Sequence, residues 1–449
     1  MDDLSGKRLL ILGLARQGKA LARFAAEAGA QVTISDLRSP EKLAGILADL
    51  RDLDIAYVLG EHPMSLLDKT DMMAVSGGVP ADAPLVQAAR ARGIEITNDS
   101  QEFMKRAPTA VIGITGSAGK TTTTALTGVM GQVAGRRTWV GGNIGRPLIA
   151  DLHKMQPDDM VVQELSSFQL EIWTQSPHVA AILNITPNHL DRHKTMAAYA
   201  DAKGNILRYQ SATDVAVLSA DDAGAMALAT EVQGRLRTFS LRGAVEDGAF
   251  VRDEQIWLQN GHETAVCPLT DIQLRGQHNV LNVLAAITLA DSVGIPAEAM
   301  RQAIRTFRGV EHRQELVRTL NGVRYVNDSI ATAPERVLAA LASFNEPLIL
   351  LAGGRDKEMQ WDEWTRQVTQ RVKHVVLFGD LAEMLEKRLA AAGYRQMTRV
   401  EGLETAVSTA AALAQPGDMV LLSPGGTSFD AFDDFAQRGE RFRALVENL

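Results

Sequence analysis

The stretch AVIGITGSAGKTTTTAL, residues 110–126, decides how this chain is read. Ala110 to Thr115 is an apolar run of the length of one buried strand, and a helical pattern starts at Lys120. Between them lies Gly116-Ser117-Ala118-Gly119-Lys120-Thr121. A glycine-rich turn between strand and helix exposes backbone N–H groups, and the helix N-terminus adds positive potential. Such a turn suits a polyphosphate. Lys120 is placed to reach the β- and γ-phosphates, and the Thr121 hydroxyl to reach Mg²⁺. Ile114 stands where the strict pattern has its first glycine, so a chance glycine-rich turn is the competing reading. Thr122 to Thr124 also serve as an ordinary helix start.

The strand-then-helix rhythm continues on both sides. Upstream, LLILGL (9–14), VTISD (32–36) and MMAVSGG (72–78) read as strands, with a helix from about Gln17 to a Gly29 cap. Downstream, strands are expected at 160–163, 179–185 and 215–219. Segment 236–268, with its Asn260-Gly261 pair, reads as β-hairpin material, and 278–294 as a long helix. A third block has strands at 323–328, 347–354, 374–380 and 418–424. Alternating βα units predict parallel sheets covered by helices. The expected fold is α/β in three domains. These are a Rossmann-like domain (1–104), a central P-loop domain with added β-hairpins (105–308) and a second Rossmann-like domain (309–449). No Pro- or Ser-rich linker marks either boundary.

Composition supports this and narrows the function. The 449 residues suffice for about three domains. With 46 basic and 54 acidic residues the net charge is −8, a poor balance for wrapping nucleic acid or lying on an anionic membrane. No run of 18 apolar residues occurs, and the opening run Leu9 to Leu12 is too short for a secretory leader. Cys267 is the only cysteine, so no intrachain disulfide is possible, which suits a reducing cytosol.

Other polar residues cluster after strands. Gly13, Ala15 and Gly18 occupy the positions of a dinucleotide fingerprint, with Asp36 at the end of the next strand. Ala15 replaces the glycine that lets backbone approach a pyrophosphate. That argues against NAD and for another nucleotide at the same strand ends, beside the plain structural turn as the alternative. Glu164, after MVVQ, suits Mg²⁺ or a helix-start charge. NITPNHLDRH (184–193) packs Asn184, Asn188, His189, Asp191 and His193 together, which suits a metal or phosphate site. Lys203, judged by spacing alone, is an ordinary solvated lysine. Asn279 and Asn282 share a helix face.

In order, ELSSFQLE (164–171), LNITPNHLDRH (183–193), AKGNIL (202–207), GQHNVLN (276–282) and SPGGTSFDAF (423–432) resemble the Mur ligase family, the ATP-dependent amino-acid ligases of peptidoglycan synthesis. The resemblance spans Gly13 to Phe435. It implies that the three domains take a UDP-sugar substrate, ATP and an amino acid in turn. Leu14, Ala15, Arg16 and Asp36 would line the uracil end, with Asn143, Ser166 and His189 on the same substrate. Gly116, Ser117, Ala118, Gly119, Lys120, Thr121 and Thr122 would hold ATP with Asn279, Asn282, Arg313 and Asp328. Thr121, Glu164, His189 and Lys203 would serve two Mg²⁺ sites, Lys203 after carbamylation. Lys120, Lys203 and His189 would form the catalytic set, and Thr332, Lys357, Ser428 and Phe435 the amino-acid pocket. The implied reaction adds D-glutamate to UDP-N-acetylmuramoyl-L-alanine through an acyl phosphate. It is expected of a cytoplasmic monomer with no nucleic-acid partner and no membrane insertion. A same-fold ligase adding L-glutamate or another amino acid is the competing reading. Two departures stand out. Ser117 replaces the usual threonine, and Ile330 replaces a lysine that many members carry, so a cation there is missing or supplied elsewhere.

Overall fold

The computed structural model describes residues 4–357 and 359–449; the Asp191 side chain also lies outside the described residues. The chain folds as two compact units, one ending at Phe307 and one spanning Arg308–Leu449.

The first unit begins with five parallel strands: β1 Arg8–Leu12, β2 Gln31–Asp36, β3 Ile55–Leu59, β4 Met72–Val75 and β5 Glu95–Thr97. Their order is β3-β2-β1-β4-β5. The direction of winding reverses between β1 and β4, where open parallel sheets collect ligands. The helix Arg16–Glu27 buries Gly18, Leu21, Ala22 and Ala25, a stripe at helical spacing.

A nine-stranded sheet follows in the same unit. Its strands are β6 Val111–Thr115, β7 Thr138–Gly142, β8 Met160–Glu164, β9 Val179–Ile182, β10 Val215–Ser219, β11 Arg235–Ser240, β12 Gly248–Arg252, β13 Gln255–Gln259 and β14 Glu263–Pro268. The order is β14-β13-β12-β11-β10-β9-β6-β8-β7. Every residue of β6, β8 and β9 is buried, as a sheet covered on both faces requires. Ile114 pairs with Glu164 and Thr115 with Ile182, so three strand ends lie side by side.

Two details differ from the sequence reading. The segment read as hairpin material begins with β11, which is parallel to β10; only β12, β13 and β14 run antiparallel. The first hairpin turns at Asp253 and Glu254, both left-handed (φ 51° and 57°), a turn without the Asn-Gly signature. The helix Asp99–Arg106 also runs across residue 104. Its start is buried and polar. Asn98 donates to the Gln169 carbonyl (2.9 Å), and the Ser100 carbonyl accepts from Gln163 (3.3 Å). A helix start hydrogen-bonded to the following sheet takes the place of a flexible linker.

The second unit holds β15 Glu315–Leu320, β16 Val323–Asn327, β17 Leu348–Gly353, β18 Val372–Phe378, β19 Met397–Arg399 and β20 Met419–Gly425, in the order β15-β16-β20-β17-β18-β19. Only β15 is antiparallel to its neighbour. Asn327 pairs with Leu422 and Gly353 with Gly425, which aligns the C-terminal ends of β16, β20 and β17. Among the described residues, no helix is long and apolar enough to cross a membrane.

Candidate active site

The glycine-rich turn lies between β6 and the helix Lys120–Val133, where the nine-stranded sheet reverses its winding. Gly119 is left-handed (φ 85°), and a Cβ there would collide with Oδ1 of Asn282. Asn282 thus comes from a remote helix to touch the loop; its Oδ1 accepts from Thr123, 159 residues earlier (3.4 Å), and its Nδ2 donates to Asn279 (3.1 Å). Asn184, just beyond β9, braces the turn from the other side. Its Oδ1 accepts from the Ala118 amide (2.8 Å) and its Nδ2 donates to the Ala118 carbonyl (3.1 Å). Its own carbonyl accepts from the Ser117 amide (3.0 Å). Ser117 Oγ donates to the Thr186 carbonyl (2.9 Å) and lies 3.0 Å from the Tyr199 hydroxyl. Serine therefore fills the usual threonine position with its hydroxyl fully used. The Lys120 ammonium donates to the Gly116 (2.8 Å) and Ser117 (3.3 Å) carbonyls.

Removing the brace by Asn184→Ala should raise the KM for ATP about tenfold. Two neutral hydrogen bonds that shape the loop are lost, each worth about 0.5–1.5 kcal/mol. Steady-state kinetics test this; an unchanged ATP KM would mean that the loop keeps its form without Asn184.

Glu164 ends β8 and is 1% exposed. Its Oε1 accepts from Asn143 Nδ2 (2.8 Å), while its buried Oε2 has no hydrogen-bond partner among the described residues. A carboxylate oxygen orphaned in the interior is costly unless a cation meets it, and hard oxygen donors suit Mg²⁺. This favours the metal-facing reading of Glu164 over a solvated helix-start charge. The helix cap is Ser166, whose side chain accepts from the Gln169 amide. Asn143 links Glu164 to the first domain, for its carbonyl accepts from Arg16 (3.1 Å).

Lys203 is not the solvated lysine that spacing predicts. It is 1% exposed on the helix Met196–Arg208. Its amine donates to Thr115 Oγ1 (3.1 Å) and the Gly116 carbonyl (3.0 Å), and lies 4.8 Å from the centre of the Tyr199 ring. Burial drives its pKa well below the ordinary lysine value. The charge of Lys120 pushes the same way, and Glu164 opposes.

The two histidines after β9 separate. His193 is buried, 2.9 Å from Ser167 Oγ and stacked on Phe168. His189 is exposed and left-handed (φ 54°), with its ring 5.0 Å from that of Phe168. Between them Arg192 donates to the carbonyls of Gly77 (2.9 Å) and Val79 (2.7 Å) and covers Phe168. It pins this loop to the end of β4, a role its sequence position does not announce.

At the first sheet, Asp36 Oδ2 accepts from the Leu14 amide (2.7 Å), and Arg38 donates to both carboxylate oxygens. Burial alone would raise the Asp36 pKa; the bonds from Arg38 and the two backbone amides outweigh it and hold it at about 2. Ser76 Oγ donates to the Gly13 carbonyl (2.7 Å) across the switch point. Arg38 and Ser76 are additions that the sequence reading did not make. A cavity of about 470 Å³ runs beside Arg16 over Ala20, Phe24 and Ile149, and no residue of the glycine-rich turn lines it.

In the second unit, Asp328 is 4% exposed, and its oxygens accept from Ser423 Oγ (2.8 Å) and the Gln314 amide (3.2 Å). Burial lifts its pKa to about 7 against those bonds and the charges of Arg313 and Arg336. Asp328 is thus buried and hydrogen-bonded within the unit, whereas Arg313 is exposed. Beside Ile330, Arg336 donates to the Ile330 carbonyl (3.1 Å), so a cation does reach this turn. Thr332 follows β16, Lys357 follows β17 and Ser428 follows β20, on the three aligned strand ends. Lys357 lies 6.0 Å from the ring of Phe429, an exposed aromatic that the sequence reading passed over. Phe435 sits edge-on to His312.

A glycine-rich phosphate turn at the switch point of an open sheet, beside a buried acid and a buried amine, marks an α/β protein of the phosphate-loop class. Family descriptions match along the chain: "Mur ligase MurD-like, N-terminal domain" over 7–98, "Mur ligase middle domain" over 114–290 and "Mur ligase, glutamate ligase domain" over 312–426. The chain belongs to the Mur ligase family. Relatives named UDP-N-acetylmuramoylalanine--D-glutamate ligase are 42% identical in Symbiobacterium thermophilum (99% of this chain, 98% of that one) and in Geobacter metallireducens (100% and 98%). Solved structures share the fold. UDP-N-acetylmuramate-alanine ligase MurC from Thermotoga maritima has a TM-score of 0.56 at 21% identity (98% and 99% covered). MurF from Acinetobacter baumannii has 0.57 at 17% (97% and 93%).

Proposed function

We propose that this chain is the ATP-dependent ligase that joins D-glutamate to UDP-N-acetylmuramoyl-L-alanine. The observation that carries it is the 42% identity, over essentially the whole length, to ligases named for that reaction. The phosphate turn and the buried acid and amine supply the matching chemistry.

The alanine carboxylate is a poor electrophile. Its oxygen attacks the γ-phosphorus of ATP, ADP leaves, and an acyl phosphate forms. The glutamate amine then attacks the acyl carbon, phosphate leaves, and the amine loses a proton. Carboxylate and γ-phosphate repel each other in the first step. Lys120 offsets that repulsion, and the turn from Gly116 to Thr122 orients the phosphates. Asn279 and Asn282 support the nucleotide side, with Arg313 and Asp328. Thr121, Glu164, His189 and carbamylated Lys203 would hold Mg²⁺, which supplies positive charge at the phosphate oxygens. Leu14, Ala15, Arg16, Asp36, Asn143, Ser166 and His189 hold the UDP substrate. The roles divide as residues 1–104, 105–308 and 309–449, in a monomer of the cytoplasm.

The setting of Lys203 supports the proposed carbamylation. An unprotonated amine adds to CO₂, releasing a proton and leaving an anionic carbamate. That oxygen donor suits a hard cation where an ammonium would repel it.

Thr332, Lys357, Ser428 and Phe435 take the amino acid. Lysine supplies a point charge and serine a directional hydrogen bond for its carboxylates. Lys357→Ala should therefore raise the KM for glutamate about tenfold or more while leaving that for ATP near its normal value, since a hydrogen bond to a charged group is worth about 1.5–3 kcal/mol. A large ATP defect with an unchanged glutamate KM would move Lys357 to the nucleotide. The function as a whole is tested by phosphate release from ATP with UDP-N-acetylmuramoyl-L-alanine and each glutamate enantiomer. Release should require the UDP substrate and D-glutamate together; equal or greater turnover with L-glutamate would overturn the assignment.

A further inference from the structure

We infer that Arg438 is a positioning residue for the amino-acid pocket: one buried guanidinium holds together the strand-end turns that carry Thr332, Lys357 and Ser428, and its charge complements a dianionic amino acid. The inference rests on the assignment of that pocket proposed above.

Arg438 lies in the first turn of the helix Phe435–Glu447 and is fully buried. Its Nε donates to Ser329 Oγ (3.0 Å). One terminal nitrogen donates to the Ser329 carbonyl (2.9 Å), and both donate to the Gly426 carbonyl (3.2 Å each). Ser329 precedes Thr332 on the turn after β16, and Gly426 precedes Ser428 on the turn after β20. The turn after β17 closes on the same group. Gly354 is left-handed (φ 93°), and a Cβ there would lie 3.0 Å from a terminal nitrogen of Arg438 and collide with the Thr427 carbonyl. Ser329 Oγ in turn donates to the Phe435 carbonyl (2.7 Å). All four candidate pocket residues therefore sit on segments that meet at this side chain.

The fork is needed for the geometry. Three acceptors around one plane match a guanidinium and not the single point charge of lysine. The charge is notable for its company. No carboxylate hydrogen-bonds or ion-pairs with Arg438 among the described residues; its acceptors are two carbonyls and a hydroxyl. Burial lowers its pKa only to about 10, opposed by the charge of Asp430, so the group stays cationic at neutral pH. That charge, partly offset by Asp430, adds to the charge of Lys357 on the neighbouring strand-end turn. A dianionic amino acid answers both charges; a neutral one does not.

Arg438→Met and Arg438→Lys in the full chain test this, with Lys357→Ala measured alongside. Arg438→Met should raise the KM for D-glutamate at least tenfold, with those for ATP and the UDP substrate within twofold of normal. Arg438→Lys, which keeps the charge and drops the fork, should fall between Met and the native enzyme. Thermal melts and the ATP KM report whether each variant is folded. If all three KM values rise together, or a folded Arg438→Met keeps its glutamate KM, the inference fails. Should Lys357→Ala leave the glutamate KM unchanged, the pocket assignment fails instead, and the two failures are told apart.

Discussion

Lys120→Ala should leave a folded protein whose turnover has fallen by on the order of 10³-fold or more. Lys120 begins the helix after the glycine-rich turn, and its ammonium donates to the Gly116 and Ser117 carbonyls. In phosphoryl transfer the protein does little covalent work, so fixed charge near the transferring group carries much of the rate. Removing one such group costs about 10²–10³ in kcat in comparable sites. Here the reacting groups are two anions, and the penalty should sit at the upper end. The structural cost should be small beside the catalytic one, since the hydrogen bonds to the Gly116 and Ser117 carbonyls are each worth about 0.5–1.5 kcal/mol net. Phosphate release alongside a thermal melt separates the two effects. A folded variant with kcat within tenfold of normal would remove Lys120 from the chemistry.

Lys203→Ala is expected to lose at least ~10²-fold in turnover, the scale on which groups that orient a metal site act. Added short carboxylic acids should restore part of the rate. Replacing a buried amine with alanine leaves a space beside Thr115, Gly116 and Tyr199, and a small carboxylate placed there is again an anionic oxygen donor. Stability should change little. Burial already disfavours the charged form of this lysine, and exchanging a buried ionisable group for an apolar one is often neutral. Activity of the native enzyme should rise with bicarbonate after dialysis against CO₂-free buffer. Indifference to bicarbonate, together with no rescue, would leave Lys203 as a structural amine and the proposed carbamate without support.

The two lysines differ in how readily the chain reveals them. Lys120 is legible because its surroundings are local: strand, glycine turn and helix are all set by residues within one short stretch. Lys203 is not, because helical spacing places it like any lysine on an outer turn. What buries it is Thr115 and Gly116, 88 and 87 residues earlier. Asn184 illustrates the same limit. Its polar cluster was visible, but its work as a brace depends on β9 lying next to β6.

By itself, then, the sequence determined the alternating strands and helices, the glycine-rich turn and the polar residues that end each strand. Those features follow from hydrophobic period and from backbone geometry over a few residues. Tertiary structure alone decided which strand ends meet. Strand order sets β8 and β9 against β6, and β16, β20 and β17 against one another. Only then does the Glu164 oxygen become an orphan, the Lys203 amine lose water, and the Arg438 fork bridge turns 109 and 12 residues away. The physical reason is that burial and electrostatics act through space, at distances of a few ångströms, and remote pairing of strands brings those groups within reach.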